Sequence, residues 1–198
     1  MKVICLTGGL ASGKSTAVRY LADKGAHVID ADVLGHRAYD PGTEAFEAVI
    51  AAFGEDVRSD AGEIDRKVLG GKVFGKPDQL KKLTGIVWPE IRRLAEIEIE
   101  SIGKADPDAI VVLEAAVLFE AGWEDMGEAI WVVTVDRETA ISRSMARDGA
   151  DREAVENRLN SQLSNDERTT RADIVITNDG DEASLYEQLD QAWSTVSA

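Results

Sequence analysis

Eight residues near the amino terminus, Gly8-Gly9-Leu10-Ala11-Ser12-Gly13-Lys14-Ser15, have the types and spacing needed to hold a polyphosphate. They fit the pattern G-x-x-x-x-G-K-[ST], and each fixed position has a physical reason. Glycine lets the backbone turn tightly round an anion, so that several N–H groups converge on one phosphate. Lys14 can reach the β- and γ-phosphates, and the Ser15 hydroxyl can ligate Mg²⁺. A helix starting near Gly13 adds the positive end of its dipole to the same point. The chemistry implied is nucleoside-triphosphate binding.

Three further groups of residues could act beside that loop. Asp30 and Asp32 close a short apolar run, Ala26-His27-Val28-Ile29. In a parallel α/β sheet, ligands sit beyond the carboxyl ends of the strands, which places these acids near the phosphates. Asp30 reads as a helix cap. Asp32 could accept a proton from a substrate hydroxyl or support Mg²⁺ through water. Glu114 ends the run Ala109–Leu113 and is open to two readings, a metal-supporting acid or a helix-entry acid. Arg143 and Arg147 lie four residues apart, so on a helix both leave the same face. Arginine forks grip phosphate oxygens bidentately, which phosphoryl transfer needs.

The elements that must position these residues follow from the apolar pattern. Lys2–Leu6, Ala26–Ile29, Ala109–Leu113, Ala129–Val135 and Asp173–Thr177 are short apolar runs. Continuous rather than alternating runs suit strands buried on both faces. Helical patterns separate them, which implies right-handed crossovers and a parallel sheet. The first helix runs from Lys14 to about Lys24, with Gly25 as its stop. Residues 33–105 read as helical, with Leu80, Leu83, Val87, Ile91 and Leu94 as a buried face and Pro89 kinking or restarting the helix. Arg137–Arg147 and Asp151–Leu163 read as two helices, and a last one carries Leu185, Leu189, Trp193 and Val196 on one face. The expected fold is α/β, a three-layer P-loop kinase type with a five-stranded parallel sheet. One domain is expected over 1–198, with its core at 1–32, 106–142 and 172–198, a helical substrate-binding insertion at 33–105 and a small helical lid at 143–171.

Bulk charge limits the partners. The 198 residues carry a formal net charge of −15, which repels nucleic acid and anionic membranes at long range. Neither is an expected partner. The same field repels ATP, so cationic charge must be concentrated locally. All nine lysines lie at or before Lys104, and seven arginines follow between Arg137 and Arg171. Seven acids share that arginine-rich stretch, so some of its arginines must be ordinary surface ion pairs. The single cysteine, Cys5, sits within a strand run and reads as a core residue in a reducing compartment. With a phosphate loop so close to Met1 and no apolar run long enough to span a bilayer, a cytoplasmic location is expected. Asn-Lys-x-Asp, the usual guanine-reading motif, does not occur, which weighs against a GTPase.

Taken in order, these motifs resemble one family, the dephospho-CoA kinases. The resemblance rests on Leu6-Thr7-Gly8-Gly9, Ser12-Gly13-Lys14-Ser15-Thr16 and Val28-Ile29-Asp30-Ala31-Asp32. It continues through Phe53-Gly54, Asp65-Arg66, Leu118-Phe119-Glu120, Arg143-x-x-x-Arg147-Asp148 and Ala172-Asp173-x-Val175-Ile176-x-Asn178-x-Gly180. Trp88-Pro89 stands where many bacterial members carry His-Pro, and Ala116-Val117 precedes Leu118 where many carry Pro-Leu. Leu34-Gly35-His36-Arg37-Ala38-Tyr39, Val87-Trp88-Pro89 and Ala115-Ala116-Val117-Leu118 look closer to the kinase domain of bifunctional CoA synthases. No role of the usual histidine carries over to Trp88.

The resemblance implies transfer of the ATP γ-phosphate to the ribose 3′-hydroxyl of dephospho-CoA, the last step of CoA synthesis, with Mg²⁺. By matching position, Asp32 is the general base, while their own chemistry and spacing put Lys14, Arg143 and Arg147 on the transferring group. Gly9 and Ala11 to Thr16 (Ser12, Gly13, Lys14 and Ser15 among them) would hold ATP, with Ser15 on the metal. Asn178 would approach the adenine or cap the turn at Asp179-Gly180. Thr7, Asp32, His36, Arg37, Leu118, Phe119 and Glu120 would contact the acceptor. Another small-metabolite kinase, of the shikimate or nucleoside monophosphate type, is the alternative enzyme, and a nucleotide-gated binding protein is the alternative outside enzymology.

Overall fold

The computed structural model describes residues 1–197. The chain begins with β1 (Lys2–Gly8), α1 (Lys14–Asp23) and β2 (His27–Asp30). A helical stretch follows: α2 (Ala31–Arg37), α3 (Glu44–Phe53), α4 (Arg66–Val73) and α5 (Pro77–Ala105). Then come β3 (Ile110–Glu114), β4 (Ala129–Thr134), α6 (Arg137–Asp148), α7 (Arg152–Asn160), α8 (Asn165–Thr169), β5 (Ile174–Thr177) and α9 (Glu182–Ser194). The five strands form one sheet in the order β2-β3-β1-β4-β5. β1 pairs in parallel with both β3 and β4, and β4 with β5.

Two compact units result, one made of Met1–Ile29 with the chain from Ile99 onward, the other of Asp30–Glu98. The first is built on the sheet. On one face Ile4, Leu6, Val112, Trp131, Val133 and Ile176 meet Ala17, Val18 and Leu21 of α1 and Leu185, Leu189 and Ala192 of α9. The residues that alternate with them, Val3, Cys5, Val111, Leu113 and Val132, are buried as well. Both faces are therefore covered, which is why the strand sequences are apolar throughout rather than alternating. Cys5 is fully buried, with its thiol against the Trp123 carbonyl.

The second unit is helical, with a core from Leu34, Phe46, Val49, Ile50, Leu69 and Val73. Thr43 caps α3 and Asp65 caps α4, each by accepting backbone N–H bonds. Here the structure settles one expectation and corrects another. Of the two outcomes expected at Pro89, a kink or a restart, the restart is excluded, because α5 is one helix through it. The proline removes a single N–H, the partner of the Gly85 carbonyl, and packing on either side carries the helix across. Leu80 is exposed, because the buried stripe of α5 starts only at Val87 and runs through Ile91 to Ala95 at four-residue steps. A second correction falls in the first unit. The helix expected over Asp151–Leu163 ends at Asn160, and a separate short helix, α8, follows behind a capping box formed by Ser164 and Glu167.

Candidate active site

The phosphate loop joins β1 to α1, and its conformation is set by contacts that leave no room for larger residues. A side chain on Gly8 would strike the Val133 carbonyl of the adjacent strand, so β4 wedges the start of the loop. Ala11 takes a positive φ of 54°, which is uncommon for a residue with a Cβ. Gly13 has φ 95° and caps α1, and a side chain there would strike the Asn178 amide. Asn178 lies just past β5, is buried, and donates from Nδ2 to the Ser12 carbonyl at 2.8 Å. Lys14 Nζ donates back to the carbonyls of Gly8 and Gly9, at 3.0 and 3.4 Å, which curls the lysine over the loop. Ser15 and Thr16 follow in the first turn of α1, with Ser15 exposed.

Two cavities flank this loop within the first unit. One is lined by Ala11, Gly13, Thr16, Arg143, Asn178 and Gly180, with Glu182 and Leu185 behind. It brings together four of the residues expected at ATP and one of the two arginines expected in a lid. The other, about 230 Å³, lies against Gly9 and Leu10 and is walled by Arg137, Gln162, Ser164, Asn165 and Arg168. Gln162 accepts from the Leu10 N–H at 3.1 Å, so the segment between α7 and α8 already touches the phosphate loop.

Other expected site residues fall as follows. Asp30 caps α2 by accepting from the N–H groups of Asp32 and Val33 at 2.8 and 3.1 Å. Because Asp30 does the capping, the exposed Asp32 carboxylate is not spent on it. His36 and Arg37 end α2. Arg37 is ion-paired with Glu98, and the His36 carbonyl accepts from Arg66 at 3.3 Å. Arg147 forks onto its neighbour Asp148 at 2.7 and 3.0 Å, which holds that carboxyl below the usual range. Thr7 and Leu118 are fully buried and Phe119 nearly so. Of the residues expected to face the acceptor in the first unit, only Glu120 presents its side chain outward, because the apolar pair before it is drawn into the core.

Arg168, which the structure places beside the phosphate loop, is not singled out by sequence reasoning. It sits in a polar stretch, Ser164-Asn165-Asp166-Glu167-Arg168-Thr169-Thr170, that looks like solvated surface, yet it is only 2% exposed. The available signal was Gly9. It takes no positive φ, and a side chain there would make ordinary van der Waals contact with Arg168 Nη1 and Asn165 Oδ1, 3.6 and 3.7 Å away, so the glycine faces both residues.

No cluster of three or more His, Cys, Asp or Glu with metal-holding geometry exists among the described residues. A phosphate-bound Mg²⁺ does not require one, since it keeps several waters and takes only one or two protein oxygens. The exposed Ser15 hydroxyl, a hard oxygen directly after Lys14, fits that demand. No helix among the described residues is long and apolar enough to cross a membrane.

A parallel sheet with a β1–loop–α1 phosphate cradle, and short helices carrying arginines beside it, defines a P-loop kinase. The chain belongs to the dephospho-CoA kinase family: residues 2–184 match that family's model. It is 43% identical to a dephospho-CoA kinase of Geobacter sulfurreducens over 194 residues, 98% of each chain. Among solved structures it superposes on TT1252 from Thermus thermophilus with a TM-score of 0.82 and 33% identity, covering 98% of this chain and 96% of that one. The dephospho-CoA kinase from Campylobacter jejuni superposes with a TM-score of 0.74 at 27% identity, over 98% and 96% of the two chains.

Proposed function

We propose that the protein phosphorylates the ribose 3′-hydroxyl of dephospho-CoA with ATP, giving coenzyme A and ADP in the last step of CoA synthesis. The observation that carries this reading is the family match over residues 2–184, which spans the phosphate loop, Asp32 and Asn178 together. In the reaction the acceptor oxygen bonds to the γ-phosphorus while the bond from that phosphorus to the β–γ bridging oxygen breaks. The hydroxyl proton goes to the Asp32 carboxylate. Lys14 leaves the Gly8 and Gly9 carbonyls for the phosphates, supplying charge where the leaving oxygen becomes negative.

Gly9 and Ala11 to Thr16 hold the ATP phosphates through backbone N–H groups. Asn178 acts on that cradle from behind through the Ser12 carbonyl. The Ser15 hydroxyl would hold Mg²⁺, which would supply positive charge beside the phosphates when bound. Arg143, at the cavity that contains Ala11 and Asn178, serves the nucleotide, and Arg147 joins once the lid closes. His36, Arg37 and the helical unit receive the pantetheine-bearing acceptor, with Glu120 at the same substrate. Thr7, Leu118 and Phe119, all buried, serve the acceptor only through the residues packed on them. The place of work is the cytoplasm.

Release of ADP, followed by coupled assay with dephospho-CoA, AMP and shikimate in parallel, tests the proposal. Turnover confined to dephospho-CoA and dependent on Mg²⁺ is expected. Turnover on AMP or shikimate alone would reassign the acceptor, and ATP binding without turnover would make the protein a nucleotide-gated binder.

A further inference from the structure

Arg168 carries a buried charge that the resting protein does not neutralise well. Its Nη1 donates to the Leu163 carbonyl, and its Nη2 stands 3.7 Å from Glu120, beyond hydrogen-bond range. Nε is sealed from solvent with no hydrogen-bond partner among the described residues. A guanidinium has five N–H donors, and a buried cation left short of acceptors is costly. Burial accordingly pulls the Arg168 pKa down from its ordinary value, and Glu120 and Glu167 only partly offset this. Such an arrangement persists where an anion completes it.

The position says which anion. Arg168 Nη1 lies 3.6 Å from where a Cβ on Gly9 would stand, so the guanidinium faces the backbone of the phosphate loop itself. It shares the cavity beside Gly9 and Leu10 with Arg137, Gln162 and Asn165, on a different wall of the loop from the Arg143–Asn178 cavity. Its platform is fixed. Asn165 donates to the Val135 carbonyl at 2.8 Å just beyond β4, and the Ser164–Glu167 capping box locks the first turn of α8. Arg168 therefore stays beside the loop, whereas Arg147 lies on an exposed helix end.

We propose that Arg168 is a further catalytic residue, contacting the oxygens of the phosphoryl group in transfer from the Gly9 side of the loop, with Glu120 and the Leu163 carbonyl holding its fork until that group arrives. The inference rests on the kinase reading above. Arg168 neither gains nor loses a proton. It meets charge on the transferring group, while the acceptor proton still goes to Asp32.

The test uses Arg168→Ala and Arg168→Lys in the full chain, with thermal melts, kcat and KM. The affinities for ADP alone, and for ADP with aluminium fluoride, Mg²⁺ and dephospho-CoA, are measured as well. Arg168→Ala is expected to lower kcat on the order of 10³-fold, as arginines on transferring phosphoryl groups do. The aluminium fluoride complex should weaken by a similar factor and ADP alone by less than about threefold, because only the former mimics the group in transfer. Arg168→Lys should fold like wild type and recover only part of kcat, since charge returns without the fork. It carries the test if the alanine variant does not fold. Equal weakening of both complexes, or full activity in Arg168→Lys, would overturn the proposal in favour of a packing role. If wild type transfers to AMP or shikimate instead, the acceptor reading fails, and the Arg168 comparison is then repeated with that acceptor.

Discussion

The Asn178 amide donates to the Ser12 carbonyl at 2.8 Å and fills the space that a side chain on Gly13 would need. Asn178 is itself held by its backbone N–H on the Thr134 carbonyl at 2.8 Å. The end of β5 thus braces a loop that leaves β1, with β4 between them. Gly13→Ala meets two obstacles, a positive φ that costs about 1–2 kcal/mol and the displaced amide. The melting temperature should fall by several degrees, at ~2–4 °C per kcal/mol for a chain of this size. Asn178→Ala should cost about 1 kcal/mol, the net worth of one hydrogen bond, and raise the Kd for ATP. Wild-type melting and ATP affinity in Gly13→Ala would show that the brace is dispensable.

Asp30 at the end of β2 and Asp32 in the first turn of α2 can be separated by substitution. Asp30→Ala removes the cap of α2 and should lower stability by about 1 kcal/mol. Asp32→Asn leaves that cap in place, so the melt should hold while kcat falls about 10²- to 10⁴-fold, the range for a lost general base. KM for dephospho-CoA should stay near its wild-type value, because the interaction is made in the transition state. A rise in KM with kcat intact would make Asp32 a binding residue.

Burial pushes the Cys5 thiol up to about 12 from an ordinary 9.0, with the Asp125 charge adding to the effect. A folded pKa above the unfolded one means the buried neutral thiol contributes fully below pH 9. That contribution is lost as pH rises towards 12, since only the unfolded chain then ionises freely. A Cys5→Ala variant should therefore keep a constant melting difference from wild type up to about pH 9, and the difference should narrow above it. A disulfide reagent at pH 8 should label the denatured protein and leave the native one almost untouched. Rapid labelling of native protein would show the β1 core opening under native conditions.

What the sequence made legible was whatever depends on local spacing. The phosphate loop, the five strand runs and the Asp30 cap follow from periodicity and residue type, and the structure holds all three. What it hid depends on burial. Arg168 lies among acids and hydroxyls and has no apolar neighbour pattern to betray that α8 turns it inward. Leu118 and Phe119 follow a strand and precede an acid, so a loop at the site and a tuck into the core look alike in one dimension. Asn178 was visible as a polar residue at a strand end, but its partner is 166 residues away. At Pro89 the sequence left a kink or a restart open, and the packed turns that flank it in α5 decide against the restart.

Two arginines of the α6–α7 region have different partners. Arg152 sits in an ion-pair network on its own surface, bonded to Glu138 and Glu156 at 2.7 Å each. Arg147 bonds only to Asp148, and its side chain is 60% exposed. Exposed pairs of this kind contribute ~0–1 kcal/mol, so leaving Asp148 costs Arg147 little. If Arg147 swings onto the transferring group as the lid closes, Arg147→Ala should lower kcat by roughly 10³-fold. Arg147→Lys should recover part of that, because an ammonium restores charge without the bidentate fork. Arg152→Ala should leave kcat within about twofold and the melting temperature close to wild type, because exposed pairs are screened by solvent. Asp148→Asn separates the resting pair from the catalytic one: it should release Arg147 without harming kcat, and it should flatten the acid limb of the stability curve. The sign follows from the depressed pKa of Asp148, whose contribution is present above its unfolded pKa and lost as pH falls through the folded one. Equal, mild effects of Arg147→Ala and Arg152→Ala would make α6 an ion-paired surface helix and leave the charge of the transferring group to arginines already beside the loop.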